Sequence, residues 1–186
     1  RAGPITIQNA AYSVSLRTYS ESYVDAVYAA SKESVAEISP WMSWCHSKLD
    51  RSETEAWVKS RKEAWKSRDA FSFLIEHRGD GAVVGTCGLS DFNWQIPMAN
   101  LGYWVRTSRT GKGYASAAVR LLADWGFRHW QLARIEIVAG IGNKASQAVA
   151  RKVGAREEGI LRNRLRVGER LLDAYLYSLL PEESRL

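Results

Sequence analysis

Chemistry is densest in Arg106-Thr-Ser-Arg-Thr-Gly-Lys-Gly-Tyr-Ala115, where an apolar run ends in a glycine loop and a helical pattern begins. Gly111 and Gly113 carry no Cβ, so the main chain can bend sharply there and turn successive N–H groups toward one anion. The helix predicted from about Lys112 to Phe127 adds unsatisfied N–H groups and the positive end of its dipole. Arg109 and Lys112 add formal charge, so the run Arg109, Thr110, Gly111, Lys112, Gly113 and Tyr114 reads as a pyrophosphate site. Two common phosphate loops fail on spacing. A P-loop needs an earlier glycine and a hydroxyl after its lysine, but Arg106 and Gly113 stand at those places. A dinucleotide fingerprint finds Ser116 at its third glycine, with only about one strand-helix unit left behind it.

Downstream, Arg134-Ile-Glu-Ile-Val-Ala139 reads as a short buried strand, and Asn143 to Lys152 as a helix ended by Gly154. Gly-Lys-Gly-Tyr-Ala at 111–115, Arg-Ile-Glu at 134–136, Asn-x-x-Ser at 143–146 and Lys-x-Gly-Ala at 152–155 follow in order. Together they closely resemble the RimJ/RimL-like branch of the GNAT N-acetyltransferases, from about Phe71 to Tyr177. The family's loop pattern, Gln/Arg-x-x-Gly-x-Gly/Ala, is met by Ser108 to Gly113 except at its first position.

The resemblance implies an α/β (α+β) GNAT fold: a mixed, mostly antiparallel twisted sheet of six to seven strands with about four helices on its faces. It implies acetyl-CoA as cosubstrate, no metal, and direct attack of a primary amine on the thioester. The amine acceptor would be a protein N-terminus of the ribosomal-protein type, or else a small molecule such as an antibiotic or aminoacyl nucleotide. A CoA-binding module without turnover is the alternative from another class.

Carried over by position, Tyr103, Trp104, Val105 and Arg106 would hold the pantetheine arm and polarise the thioester carbonyl through backbone groups freed by a splay of the sheet. Asn143 would bond the cofactor arm, and Ser146 would protonate or stabilise the leaving sulfur. Trp41 and Trp44, in the aromatic loop beside Pro40, would line the acceptor groove. Many relatives carry a glutamate base just ahead of Gly-Tyr-Trp, but here Asn100 holds that place and cannot accept a proton as a carboxylate would. Glu136 and then Asp91 are the substitutes, unless the acceptor arrives as the neutral amine.

These residues need elements to position them. Val14 to Tyr19 alternates as a half-buried strand, with Pro4 to Gln8 a further edge strand. Ser22 is placed to cap the next helix, with Tyr23, Val27 and Ala30 on its apolar face, and Ser52-x-x-Glu55 has the form of a capping box opening a helix to about Ser67. Phe71–Glu76, Val83–Leu89 and Met98–Val105 follow as strands, and 155–165 with 171–180 as a closing hairpin. Trp57, Trp65, Trp104, Trp125 and Trp130 are expected to pack in the interior or between helices.

A chain of 186 residues, 46% hydrophobic, suits one well-buried core, so one domain is expected over residues 1–186. Cys45 and Cys87 are too few for a disulfide framework, and three histidines give no metal-ligand spacing. No apolar leader follows Arg1 and no run reaches membrane-spanning length, so a cytoplasmic monomer or homodimer is expected. The net charge of +6 is mostly interspersed with acids and gathers at 106–112 and 162–170. Polyanionic CoA accounts for such a rim without nucleic acid, except as part of a substrate particle.

Overall fold

The computed structural model describes residues 4–183. Its frame is one sheet of eight strands: β1 (Thr6–Ile7), β2 (Val14–Thr18), β3 (Ala70–His77), β4 (Val83–Asn93), β5 (Met98–Val105), β6 (Arg134–Gly140), β7 (Arg156–Val167) and β8 (Arg170–Leu179). They lie in the order β1-β2-β3-β4-β5-β6-β8-β7, and every neighbouring pair is antiparallel except β5 and β6. Five α-helices complete it: α1 (Val24–Glu33), α2 (Val35–Ile38), α3 (Arg51–Ser67), α4 (Tyr114–Trp130) and α5 (Lys144–Lys152). The count of eight is one above the six to seven that the resemblance implies and includes the expected edge strand near the start of the chain, reduced to Thr6 and Ile7 paired with Arg17 and Leu16. Among the described residues, no helix is long and apolar enough to cross a membrane.

The period-two alternation of the strands builds the core. Phe71, Phe73, Leu89, Leu101, Ile135, Ile137 and Tyr177 are buried on one sheet face, together with Ala118, Val119 and Leu122 of α4. Each large side chain so buried contributes roughly 1.5–3 kcal/mol. Gly126 lets α4 settle: a Cβ there would stand 3.0 Å from Leu89 Cδ1. Trp65, Trp125 and Trp130 pack at the rim of this core, and Trp104 is buried in a smaller cluster with Ala30, Ile38 and Cys45. Trp57 departs from expectation: it is 39% exposed, because its edge of α3 faces a cavity rather than the core.

Two caps also differ from the sequence expectation. The box that opens α3 is Asp50 with Glu53, not Ser52 with Glu55: the Asp50 carboxylate accepts from Glu53 N at 3.0 Å and Glu53 accepts from Asp50 N at 3.0 Å. Ser52 instead donates to Asp50 at 2.6 Å, stiffening the cap from the side. Ser22 lies within a 3₁₀ turn, Glu21–Tyr23, and α1 starts after it without a side-chain cap.

The feature that organises the chemistry is the parting of β5 and β6. They pair at only three positions, Met98 with Arg134, Ala99 with Ile135 and Asn100 with Glu136. Beyond that point β5 stays on β4 as far as Val105, and β6 stays on β8 as far as Gly140. The facing edges, Leu101–Val105 and Ile137–Gly140, therefore keep main-chain groups free of strand partners.

Candidate active site

A cleft of about 540 Å³ opens where the strands part, floored by β5, walled by α5 and closed at one end by the start of α4. Its lining takes in Tyr103, Trp104 and Val105 of β5, then Arg109, Thr110, Gly111, Gly113 and Tyr114 of the loop, with Asn143 and Ser146 opposite. Gly111 and Gly113 have φ of +74° and +79°, a region other residues enter at a cost, so glycine is required by the backbone itself. No atom lies within 4 Å of where a Cβ on Gly111 would stand, and α4 begins at Gly113 without a side-chain cap. The first N–H groups of a 17-residue helix are thereby left for a ligand.

The basic residues of the loop divide. Arg106 turns away: its Nε lies 3.1 Å from Glu33, which also accepts from Ser108 N at 2.7 Å. This pairing with Arg106 first, and the Ser108 bonds, hold the Glu33 carboxyl down at about 2. Thr107 N donates to Ser34 Oγ at 3.0 Å, so the end of α1 clamps the loop's entrance. Arg109 lines the cleft and meets Asp80 of the β3–β4 turn at 2.8 Å. Arg109 is the first cause holding the Asp80 carboxyl far below its usual range, with Ala82 N and His77 Nδ1 also bonded to it. Lys112 is exposed on the loop and lines neither cavity described here.

Lys152 was missed by sequence reasoning. It lines the cleft, its Nζ 3.8 Å from where a Cβ of Gly113 would be, and so brings a cation from the end of α5 to the glycine loop. A signal existed: Ala145, Ala148 and Lys152 recur at helical spacing on the face that Ser146 shares.

Tyr103 spans the parting. Its Oη donates to the Ser146 carbonyl at 2.8 Å and lies 3.1 Å from Ser146 Oγ. Burial raises the phenol to about 12, so it remains a proton-bearing hydroxyl at neutral pH. Asn143 caps α5 with its Oδ1, which accepts from Ser146 N at 3.1 Å, leaving its NH₂ for another partner. That bond fixes Ser146 in the helix's first turn, where its hydroxyl faces the cleft.

A second cavity, of about 470 Å³, lies beside the first between the sheet and α1 and α3. Met42, Tyr103 and Trp104 line both, so the two volumes adjoin at those three side chains. Both volumes fall within the range of roughly 300–1,000 Å³ usual for small-ligand sites. The two tryptophans expected together are separated by this wall. Trp44, 43% exposed, lines the second cavity and leans on Trp104 with ring centroids 5.6 Å apart. Trp41 lines the first, its indole lying over Gly140 and Gly142, where added Cβ atoms would come within 2.9 and 2.8 Å of the ring.

Neither candidate base is brought to either cavity. Glu136 sits at the last paired position of β6, its carboxylate 2.8 Å from Arg134 Nε, and lines neither volume. Strand alternation gives Ile135 and Ile137 the core face and puts Glu136 on the other one, in register with Asn100 and Ser90, but there its carboxylate is engaged by Arg134. Asp91 is exposed at φ +53° in the irregular end of β4 and also lines neither. Asn100 keeps its Oδ1 buried and without a hydrogen-bond partner. Among the described residues, the only carboxylate on the second cavity is Glu53, committed to the α3 cap and 3.2 Å from His46.

Comparison with known proteins matches this geometry. Residues 13–156 fit the family model of the acetyltransferase (GNAT) domain. The uncharacterised N-acetyltransferase p20 of Bacillus licheniformis is 34% identical over 113 residues, which are 61% of this chain and 62% of that protein. YdaF of Bacillus subtilis, provisionally named a ribosomal N-acetyltransferase, is 36% identical over 104 residues, 56% of this chain and 57% of that protein. The match therefore spans less than two thirds of the length of these relatives. RimJ of Mycobacterium smegmatis, solved with a CoA-disulfide, superposes with a TM-score of 0.85 at 27% identity, covering 98% of this chain and 89% of that one. A RimL structure with coenzyme A, described as a ribosomal L7/L12 α-N-protein acetyltransferase, shares the fold with a TM-score of 0.86 at 22% identity, covering 96% and 99%. Because the family match runs from the start of β2 to the start of β7, and so takes in the parted strands, the glycine loop and α5 together, the chain belongs to the GNAT acetyltransferase family.

Proposed function

We propose that this protein is an acetyl-CoA-dependent N-acetyltransferase whose acceptor is the α-amine of a protein N-terminus, of the kind acetylated on ribosomal proteins in the cytoplasm. The observation that carries the reading is the junction of two ligand-sized cavities at Met42, Tyr103 and Trp104, one ending in a glycine cradle and the other without one.

The cleft suits acetyl-CoA. Gly111, Gly113 and the uncapped start of α4 offer N–H groups to a pyrophosphate, with Arg109 and Lys152 beside them. The free edges of β5 and β6 offer main-chain groups to an amide-bearing arm. Asn143 contributes its NH₂ from the opposite wall. Bound there, acetyl-CoA would supply the activated acetyl thioester. Ser146 Oγ, backed by the neutral Tyr103 phenol, is the proton donor available to a leaving sulfur. A free main-chain N–H between Tyr103 and Arg106 is the donor for the thioester oxygen.

The choice of an α-amine rests on protonation. The acceptor cavity presents Glu53 as its one carboxylate, already engaged, so the nucleophile does best to arrive neutral. At pH 7.5 an α-amine with a pKa of about 7.7–8.0 is roughly one-third neutral, whereas a lysine amine at about 10.4 is roughly one-thousandth neutral. The test is thiol release from acetyl-CoA with peptides offering a free N-terminus, peptides blocked there but carrying lysine, and small amines. Preference for the free N-terminus supports the reading. Thiol release with small amines alone would move the acceptor to the small-molecule class.

A further inference from the structure

Half-buried arginines in this protein usually have an acid beside them. Arg17 has Glu76 at 3.2 Å, Arg109 has Asp80 at 2.8 Å, and Arg134 has both Glu136 and Glu158. Arg61 is the exception on the acceptor cavity. It is half-buried in the α3 wall, its Cζ 4.6 Å above the Trp57 ring, and no carboxylate among the described residues forms an ion pair with it. Its hydrogen bonds go only to neutral oxygens, Trp57 O at 3.3 Å and Ser60 Oγ at 2.8 Å. Burial pushes its pKa below the ordinary arginine value, as expected of a cation partly withdrawn from water with no carboxylate beside it. No other lysine or arginine lines this cavity.

The rest of the lining is mainly apolar, with the aromatic rings of Trp44, Trp57 and Trp104, the small hydroxyls of Ser72, Thr86 and Ser90, and one carboxylate, Glu53. Glu53 spends its oxygens on Asp50 N and His46 and forms no ion pair with Arg61, so the arginine is left for an anion that the ligand brings. Guanidinium is weakly hydrated and matches a carboxylate with two parallel bonds, so a carboxylate entering here gains a partner that water does not already hold tightly.

Resting on the N-terminal reading of the acceptor, we infer that the cavity selects peptide N-termini bearing an acidic side chain at the second or third residue, docked on Arg61 while the α-amine lies at Met42, Tyr103 and Trp104. Arg61 is thus a specificity-determining residue, remote from the acetyl group.

The experiment compares peptides that differ only as Asp against Asn, or Glu against Gln, at positions two and three. The acceptor KM is measured with wild type, Arg61→Gln and Arg61→Glu, with the acetyl-CoA Kd of each variant reporting that it is folded. In parallel, the N-acetylated product peptides are titrated calorimetrically into CoA-saturated protein. Wild type should show a KM at least tenfold lower for the acidic peptides. Arg61→Gln should bring the acidic peptide to within about twofold of its neutral twin, and Arg61→Glu should move the preference to a lysine-bearing peptide. Product binding should follow the same order. Transfer to acidic and neutral peptides with equal KM, or a preference that survives Arg61→Gln, would overturn the inference while leaving N-terminal acetylation intact. Transfer to no peptide by a protein that binds acetyl-CoA would remove the N-terminal reading, and the inference with it.

Discussion

Tyr103 Oη and Ser146 Oγ lie 3.1 Å apart, one from β5 and the other from α5, and join the two walls at the mouth of the parted strands. The contact couples a buried hydroxyl that keeps its proton to a smaller hydroxyl facing the cleft. Ser146→Ala is expected to lower kcat about 100-fold with a much smaller change in acetyl-CoA affinity. Tyr103→Phe should act in the same direction, and the double variant should lose less than the product of the two effects because they share one bond. Steady-state kcat at saturating acetyl-CoA checks this, and losses confined to the KM for acetyl-CoA would reject the donor role.

The glycine loop is tested by Gly111→Val. A β-branched residue at φ +74° costs on the order of 1–3 kcal/mol and also fills the cradle, so acetyl-CoA should bind at least tenfold more weakly. Calorimetric titration measures it, and a variant with wild-type affinity would remove the pyrophosphate from this loop.

Acid stability depends on Glu33 and Glu158. Arg106 holds the Glu33 carboxyl near 2 and Arg134 holds that of Glu158 near 2, both below the ordinary 4.5. A depressed folded-state value means that the stabilisation is fully present above about 4.5 and is lost as pH falls toward 2. Thermal unfolding from pH 7 to 2.5 should therefore show Tm falling steeply below pH 4.5, and less steeply in Glu33→Gln. Parallel slopes in the two proteins would show that the Arg106 pair contributes nothing.

Both thiols are expected to resist alkylation in the native state. Cys45 is buried, donates to Ser31 O at 3.6 Å and is pushed up to about 11, chiefly by burial, while burial raises Cys87 further. Mass spectrometry after iodoacetamide should find neither modified until the chain is unfolded. Rapid native labelling of either would contradict its packing.

Trp44→Ala should raise the acceptor KM several-fold and leave the acetyl-CoA Kd unchanged, since Trp44 lines only the second cavity. Trp41→Ala should do the reverse, because its ring lies on the cofactor side.

What the sequence made legible was local. The glycine loop opening α4 and the helix that begins at Asn143 and carries Ser146 are each set by residues within a few places of one another and lie where the sequence put them, whereas the use of Asn143 Oδ1 as the α5 cap was not foreseen. The Glu136 expectation had the sheet face right, since Glu136 is in register with Asn100 and Ser90, but not the partner: Arg134, two residues away, engages the carboxylate and it lines neither cavity. Lys152 and Arg61 were overlooked for a related reason. Their importance comes from what stands across from them, Gly113 in one case and the strand residues Ser72, Thr86 and Ser90 in the other, and neither set of neighbours is near in sequence. The Asp50 cap lost out to Ser52 because both fit the same short pattern, and only the hydrogen-bond direction separates them.

Trp41 rests on two positions defined by what they lack. With a methyl group at residue 140 or 142, the indole would have to rise off β6 and into the volume that Ser146 faces. The aperture of the cofactor cleft is therefore gauged by two missing carbon atoms. Gly140 and Gly142 act as spacers, and the smallest possible side-chain addition on the far side of the ring would narrow the cleft proposed for acetyl transfer without touching Tyr103, Ser146 or the glycine loop.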